Sequence, residues 1–303
     1  MLDQTFPQIV FDPVATLIIK IAEEVILPIY RRPNMHVEIK ADHTPVTEAD
    51  GKAEAALRKE LAEMFPGAGF IGEETDGGDW RESPLLHEEN GLWVPDRSRK
   101  VFIMDPVDGT INFAMGPKVG RRFATMLAMF DHGEFAASWI YYPLTREFLF
   151  TTPKAPSYLI GIDPNGAIEP PRVAHVQASR KRPLNMEYLI YGLLKDPERH
   201  KAEGSRMFGA LIEPNGRMEI MTCIAECLYN MVVTGELDLA VSPFYTTPWD
   251  FWTTGPAFEN AGAVAMNESS HNYRACATRG SVIANAPELA VKTCEIIAGL
   301  PRG

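Results

Sequence analysis

Asp105-Pro106-Val107-Asp108-Gly109-Thr110-Ile111-Asn112-Phe113 is the stretch on which the reading of this chain turns. The four residues before it, Val101 to Met104, are apolar, as expected of a buried strand. That strand ends in an aspartate. Pro106 fixes the exit of the chain, and a second aspartate follows three residues after the first. Two carboxylates that close repel each other and need a cation to sit together stably. Hard oxygen ligands of this type suit Mg²⁺ or Mn²⁺. Gly109 permits close backbone approach, and the N–H groups after it can receive a phosphate oxygen. Taken alone, the nonapeptide also reads as an Asp-Pro turn followed by an Asp-Gly turn, both common in loops.

Working outward, Phe70-Ile71 is a short apolar strand that delivers Glu73 and Glu74. Thr47 begins a helix with Asp50 three residues on, similar to a capping box. Leu57, Leu61 and Met64 form its apolar stripe, and Pro66-Gly67 ends it. An earlier helix opens at Asp12-Pro13, with Val14, Leu17, Ile18, Ile21, Val25 and Ile29 on one face. Val37 to Lys40 is a short strand. Residues 75 to 100, rich in Gly, Pro, Ser and charge, read as an exposed loop or small insertion. Strands are expected at 123–130, 134–142 and 146–152, the first two joined by a tight turn at Asp131-His132-Gly133.

The composition shifts at Thr152-Pro153-Lys154-Ala155-Pro156, which places an expected boundary between an N-terminal α+β domain (1–152) and a C-terminal α/β domain (153–303). The second half shows a turn at Asp163 to Gly166 and a strand at Tyr188 to Tyr191. A helix near Ala225 to Thr234 is closed by Gly235. A strand at Leu237 to Val241 follows, then a helix from Thr247-Pro248 to about Asn260 with Gly262 as its stop. Strands and helices mix throughout, so a layered α/β arrangement is expected.

Composition narrows the function classes. With 303 residues and 46% hydrophobic content the chain can bury a large core. A net charge of -11 argues against nucleic acid as the partner, yet an acidic protein still binds phosphate where metal ions reverse the local sign. Cys223 and Cys227 lie four apart on a helix and read as small buried apolar residues. The N-terminus lacks a signal-peptide pattern, and no run approaches the ~20 apolar residues of a membrane span. A soluble cytoplasmic protein is the expectation.

Three further pieces accompany the nonapeptide: Pro45-Val46-Thr47-Glu48-Ala49-Asp50, Gly72-Glu73-Glu74 and Trp249-Asp250. In this order and spacing the set resembles the inositol monophosphatase family, a branch of the lithium-sensitive, magnesium-dependent sugar-phosphatase superfamily. The resemblance covers roughly residues 40 to 262. It implies a five-layer α-β-α-β-α sandwich of the inositol monophosphatase and fructose-1,6-bisphosphatase type. It also implies hydrolysis of a small phosphate monoester by metal-activated water, with two or three Mg²⁺ ions (or Mn²⁺) and a homodimeric assembly. In that scheme Glu73, Asp105 and the carbonyl of Val107 hold a first metal, and Asp105, Asp108 and Asp250 a second. Glu73 shares a third. Gly109 and Thr110 offer backbone N–H groups to the phosphate, with Asp108 beside them on the substrate side. Thr110 and Asp50 orient and deprotonate the attacking water, and Glu74 steers that network.

The chain departs from the family at the substrate pocket. Residues 240–248 carry no carboxylate where inositol-specific members have a substrate-binding acid. Phe244 and Tyr245 stand there instead. Glu226 is a substrate contact or a plain helix-start acid, and Phe251 and Trp252 replace the usual small residues after Asp250. Lys118, Arg121 and Arg122 form a basic cluster suited to a second phosphate or a carboxylate, or to solvent. The expected substrate is therefore a sugar, polyol or amino-alcohol phosphate such as inositol or histidinol phosphate. The alternatives are a nucleotide such as 3′-phosphoadenosine 5′-phosphate, or a non-catalytic regulatory protein on the same fold.

Overall fold

The computed structural model describes residues 13–33, 35–40, 45–76, 79–89, 92–118, 121–176, 185–189, 217–221, 223–242, 247–267 and 281–298. The expected contributions of Asp12, Phe244 and Tyr245 lie outside those residues. Helix α1 (Pro13–Ile21) runs into a π turn (Ala22–Ile26) and resumes as Leu27–Tyr30. A small hairpin, β1 (Val37–Ile39) with β2 (Pro45–Thr47), leads into α2 (Glu48–Met64).

The first large sheet has seven strands: β3 (Gly69–Gly72), β6 (Lys100–Asp108), β7 (Ala124–Asp131), β8 (Glu134–Tyr142), β9 (Glu147–Thr152), β10 (Ala155–Gly161) and β11 (Arg172–Val173). They pair in that order across the sheet, β3 parallel to β6 and the rest antiparallel. Side chains alternate across it, as the strand period requires. Val101, Ile103, Met126, Ile140 and Tyr142 join one core cluster; Phe102, Met104, Leu127, Trp139 and Tyr141 join the other. The second cluster is closed by α1 and α2.

The second sheet has five strands, in the order β13 (Arg217–Met221), β12 (Asn185–Leu189), β14 (Leu239–Ser242), β16 (Ser281–Ala284) and β15 (Val264–Asn267). Helices α5 (Ile224–Tyr229) and α6 (Pro248–Asn260) lie between the sheets, and α6 touches strands of both. Helix α7 (Pro287–Ala298) packs on β15 and β16. The result is the expected α-β-α-β-α layering.

One expectation needs correction and another is narrowed. The proposed boundary at residue 152 falls inside the first sheet. Thr152 pairs with Ala155 across a hairpin, and β10 and β11 extend the same sheet to Val173. The Pro-rich composition there marks a tight turn, not a linker. The segment 75–100, read as an exposed loop or small insertion, is the second of these. It holds a short helix α3 (Glu73–Asp76) at its start, a 3₁₀ turn (Trp80–Glu82) and the hairpin β4 (Leu86–Glu89) with β5 (Leu92–Pro95). Trp80 is buried and meets Trp93 edge-on at 5.3 Å. A few apolar anchors outweigh the turn-rich composition. Among the described residues no helix is long and apolar enough to cross a membrane.

Candidate active site

The site forms where β6 leaves the sheet. In a regular strand residues three apart point to opposite faces, so Asp105 and Asp108 would be separated. The β6–β7 register shifts between Asp105, paired with Met126, and Asp108, paired with Ala124. Pro106 has no N–H to give to the ladder, and its carbonyl accepts from the Thr125 hydroxyl at 2.9 Å. The Val107 N–H donates to Asp105 Oδ1 at 2.9 Å. The bulge turns both carboxylates to one end. Asp250, in the first turn of α6, completes the group: one oxygen from each of Asp105, Asp108 and Asp250 lies within 4.8 Å of the others.

Asp108 is held from the far half of the chain. Its Oδ2 accepts from the Ala225 N–H at 2.7 Å and from the Cys223 thiol at 3.1 Å. Cys223 is the N-cap of α5, and its sulfur accepts the Glu226 N–H at 3.3 Å. Both cysteines are buried in the same core cluster, as expected, and Cys223 is in addition a polar link. Gly109 adopts φ +90°, and a Cβ there would stand 2.9 Å from the Cys223 sulfur. Only glycine satisfies both constraints.

Asp50 serves two ends. As part of the capping box its Oδ2 accepts from the Thr47 N–H (2.9 Å) and hydroxyl (2.6 Å). Its Oδ1 accepts from the Thr110 hydroxyl at 3.0 Å. Thr110 Oγ1 is also 3.2 Å from the Val107 carbonyl. The Thr110–Asp50 pair and the Val107 carbonyl therefore lie side by side.

Glu73 stands outside the 4.8 Å group. The Lys40 ammonium lies 3.1 Å from Glu73 and 2.5 Å from Glu74. The sequence offered no sign of Lys40. Glu54 was also missed, although it lies one helical turn after Asp50. It is buried, accepts the Glu74 N–H at 2.8 Å and the Thr75 N–H at 3.2 Å, and pairs with Arg58 at 2.9 Å. A Cβ on Gly72 would strike its carboxyl carbon at 2.5 Å. Glu226, read as a helix-start acid, is buried and accepts from Asn112 Nδ2 at 2.8 Å, so it braces the nonapeptide as well.

The electrostatics are those of an uncompensated acid cluster. Burial pushes Asp108 and Asp250 up to about 7, with the charge of Asp108 adding to the effect on Asp250. Asp105 is raised well above the carboxylate range by burial, then by the charges of Glu73, Asp108 and Asp250. Burial raises Glu73 and Asp50, and raises Glu74 to about 7. Burial works against the Lys40 ammonium, but the charges of Glu73 and Glu74 hold its pKa above the usual lysine range. Packed carboxylates with so little cation among them suit a hard divalent ion as the missing charge.

The three carboxylates converging beside this glycine turn could hold a metal ion. The model of the inositol monophosphatase family matches residues 10–301, and the chain belongs to that family. It is 26% identical over 247 residues to a histidinol-phosphatase of Chlorobaculum parvum, covering 81% of each chain. A shorter stretch of 119 residues is 34% identical to an inositol-1-monophosphatase of Mesorhizobium japonicum, covering 39% of this chain and 38% of that one. Among solved structures, suhB of Bartonella henselae superposes with a TM-score of 0.70 at 18% identity, covering 96% and 99% of the two chains. A Thermotoga maritima IMPase gives 0.67 at 19% identity, covering 95% and 98%. At that identity these two speak for the fold alone.

Proposed function

We propose that this protein is a magnesium-dependent phosphomonoesterase acting on a small phosphorylated metabolite, a sugar, polyol or amino-alcohol phosphate. The observation that carries the reading is the convergence of Asp105, Asp108 and Asp250 within 4.8 Å, with the Thr110–Asp50 hydrogen bond just past Gly109. Asp105, Asp108 and Asp250 are the ligands, joined by Glu73 and the Val107 carbonyl. Bound Mg²⁺ there supplies neutralisation of the ester dianion and a more acidic water. The chain's own residues do the rest. The Gly109 and Thr110 N–H groups receive phosphate oxygens. The Thr110 hydroxyl donates a hydrogen bond to Asp50, so its oxygen lone pairs are left to accept a hydrogen bond from the attacking water. Lys40 holds Glu73 and Glu74 in place on the β3–α3 corner.

The test is phosphate release with Mg²⁺ from inositol phosphate, histidinol phosphate, fructose bisphosphate and 3′-phosphoadenosine 5′-phosphate. Release from one ester, abolished by EDTA and by Asp105→Asn, is the expected result. Release that survives both controls would overturn the reading. The family resemblance also supports a homodimer, which light scattering of the purified protein tests.

A further inference from the structure

Beside the acid cluster, one cation stands with most of its hydrogen-bonding capacity unused. Arg122 lies between the Gly109 turn and α5. Its carbonyl accepts from Asn112 Nδ2 at 2.7 Å, and its backbone N–H is bonded to the Glu226 carboxylate, so the main chain is anchored on both sides. Its guanidinium carbon sits 4.1 Å over the Tyr229 ring. Among the described residues the side chain has a single hydrogen bond, a long one of 3.4 Å to Asn230 Oδ1. Its Nε is buried with no partner at all. A buried charged donor without an acceptor is costly, and in native structures such a group usually has a functional reason.

Glu226 is the nearby carboxylate, and its hydrogen bonds go to Asn112 and to the Arg122 main chain. The charge of Arg121 acts on the same carboxylate. Among the described residues two guanidinium groups on this wall act on the one carboxylate, in a protein whose net charge is -11. The wall adjoins the phosphate turn: the Arg122 carbonyl is 3.5 Å from where a Cβ on Gly109 would stand. Ala225, the neighbour of Glu226, donates to Asp108.

We infer that Arg122 is a specificity-determining residue that binds a second oxyanion of the substrate, a carboxylate or a second phosphate, close to the phosphate that is cleaved. This rests on the phosphatase reading above. A guanidinium resting over an aromatic ring keeps in-plane N–H donors with which it can meet an oxyanion.

Matched substrate pairs test it. 2-Phosphoglycerate and glycerol 2-phosphate differ by one carboxylate; fructose 1,6-bisphosphate and fructose 1-phosphate differ by one phosphate. The wild type is expected to prefer the charged member of one pair by about tenfold or more in kcat/KM, and which pair responds tells carboxylate from phosphate. Arg122→Met keeps length and stacking but removes the charge. It is expected to reduce that preference to about twofold, through KM, with turnover of the uncharged member within about threefold. Arg122→Lys keeps the charge without the fork and is expected to restore part of the preference. No preference in the wild type, or an equal loss on all substrates in Arg122→Met, would overturn the inference. Should the Met variant misfold, an undiminished preference in Arg122→Lys overturns it as well. Ligand-induced thermal shifts with Ca²⁺ in place of Mg²⁺ separate the two readings. Charged-member preference in binding without turnover of any ester would count against the phosphatase and leave the Arg122 site standing.

Discussion

Glu54 and Asp105 are buried to nearly the same depth, 1% and 2% exposed, and the protein treats them in opposite ways. Glu54 is surrounded by donors: Arg58, the Glu74 and Thr75 amides and the Thr75 hydroxyl. Asp105 has the Val107 amide and otherwise faces Glu73, Asp108 and Asp250. A buried charge that is fully paired braces structure; one left among like charges is held for a ligand that is not part of the chain. The Glu54 network fixes the corner that carries Glu73 and Glu74, while the Asp105 cluster leaves its carboxylates for a metal ion they could bind.

The sharpest break of this contrast is Asp105→Asn. It is expected to lower phosphate release about a thousandfold, in line with loss of a central metal ligand. In EDTA the same variant should melt higher than the wild type, because a buried like charge has been removed. A lower melting temperature in EDTA would show that Asp105 is structurally compensated after all.

Glu54→Ala should do the reverse. Leaving Arg58 and the α3 amides without their acceptor is expected to cost about 3 kcal/mol of stability, read from denaturant unfolding. A loss comparable to an exposed pair, under about 1 kcal/mol, would remove the distinction.

A third experiment uses pH. Folded pKa values of about 7 for Asp108 and Asp250 stand above those of unfolded carboxylates. The folded protein then binds more protons between about pH 4 and 7. The metal-free protein should therefore be most stable below that window and lose stability as pH rises through about 7. We expect its melting temperature to fall by roughly 5 °C between pH 5 and 8. Saturating Mg²⁺ should flatten or reverse the slope. An increase with pH in EDTA would contradict the uncompensated state of the cluster.

The smallest effect concerns the link between the halves. Cys223→Ala removes one of the donors to Asp108 Oδ2 and leaves the Ala225 amide. The Mg²⁺ concentration for half-maximal activity should rise about tenfold, as for other residues that orient a metal ligand. Cys223→Ser, which keeps a donor, should lie closer to the wild type.

Much of this was legible in the linear chain because it is local. Thr47 and Asp50 form the capping box their spacing announces. Helix α6 starts at Pro248 and ends at Asn260, before Gly262 at φ +92°. The strands on either side of Asp131 to Gly133 turn where His132 and Gly133 adopt positive φ. Other residues were hidden because their roles depend on distant partners. Cys223 reads as core filling, and its polar role shows only through Asp108, 115 positions away. Lys40 carried no pattern, since its ion pairs span 33 and 34 positions. Glu54 had a weak signal, its i+4 relation to both Asp50 and Arg58.

The sequence by itself determined which chemical groups are available and where the chain must turn, because capping, strand alternation and the constraints on proline and glycine act within a few residues. Tertiary structure alone decided which groups share a site. Asp105 and Asp108 come together only because the pairing of β6 with β7 shifts between them. Asp250 reaches them only because α6 packs between two sheets, and Glu226 meets the Arg122 main chain from the far half of the chain. Burial then sets their protonation, since the cost of a charge depends on the solvent and partners around it and not on its neighbours in sequence.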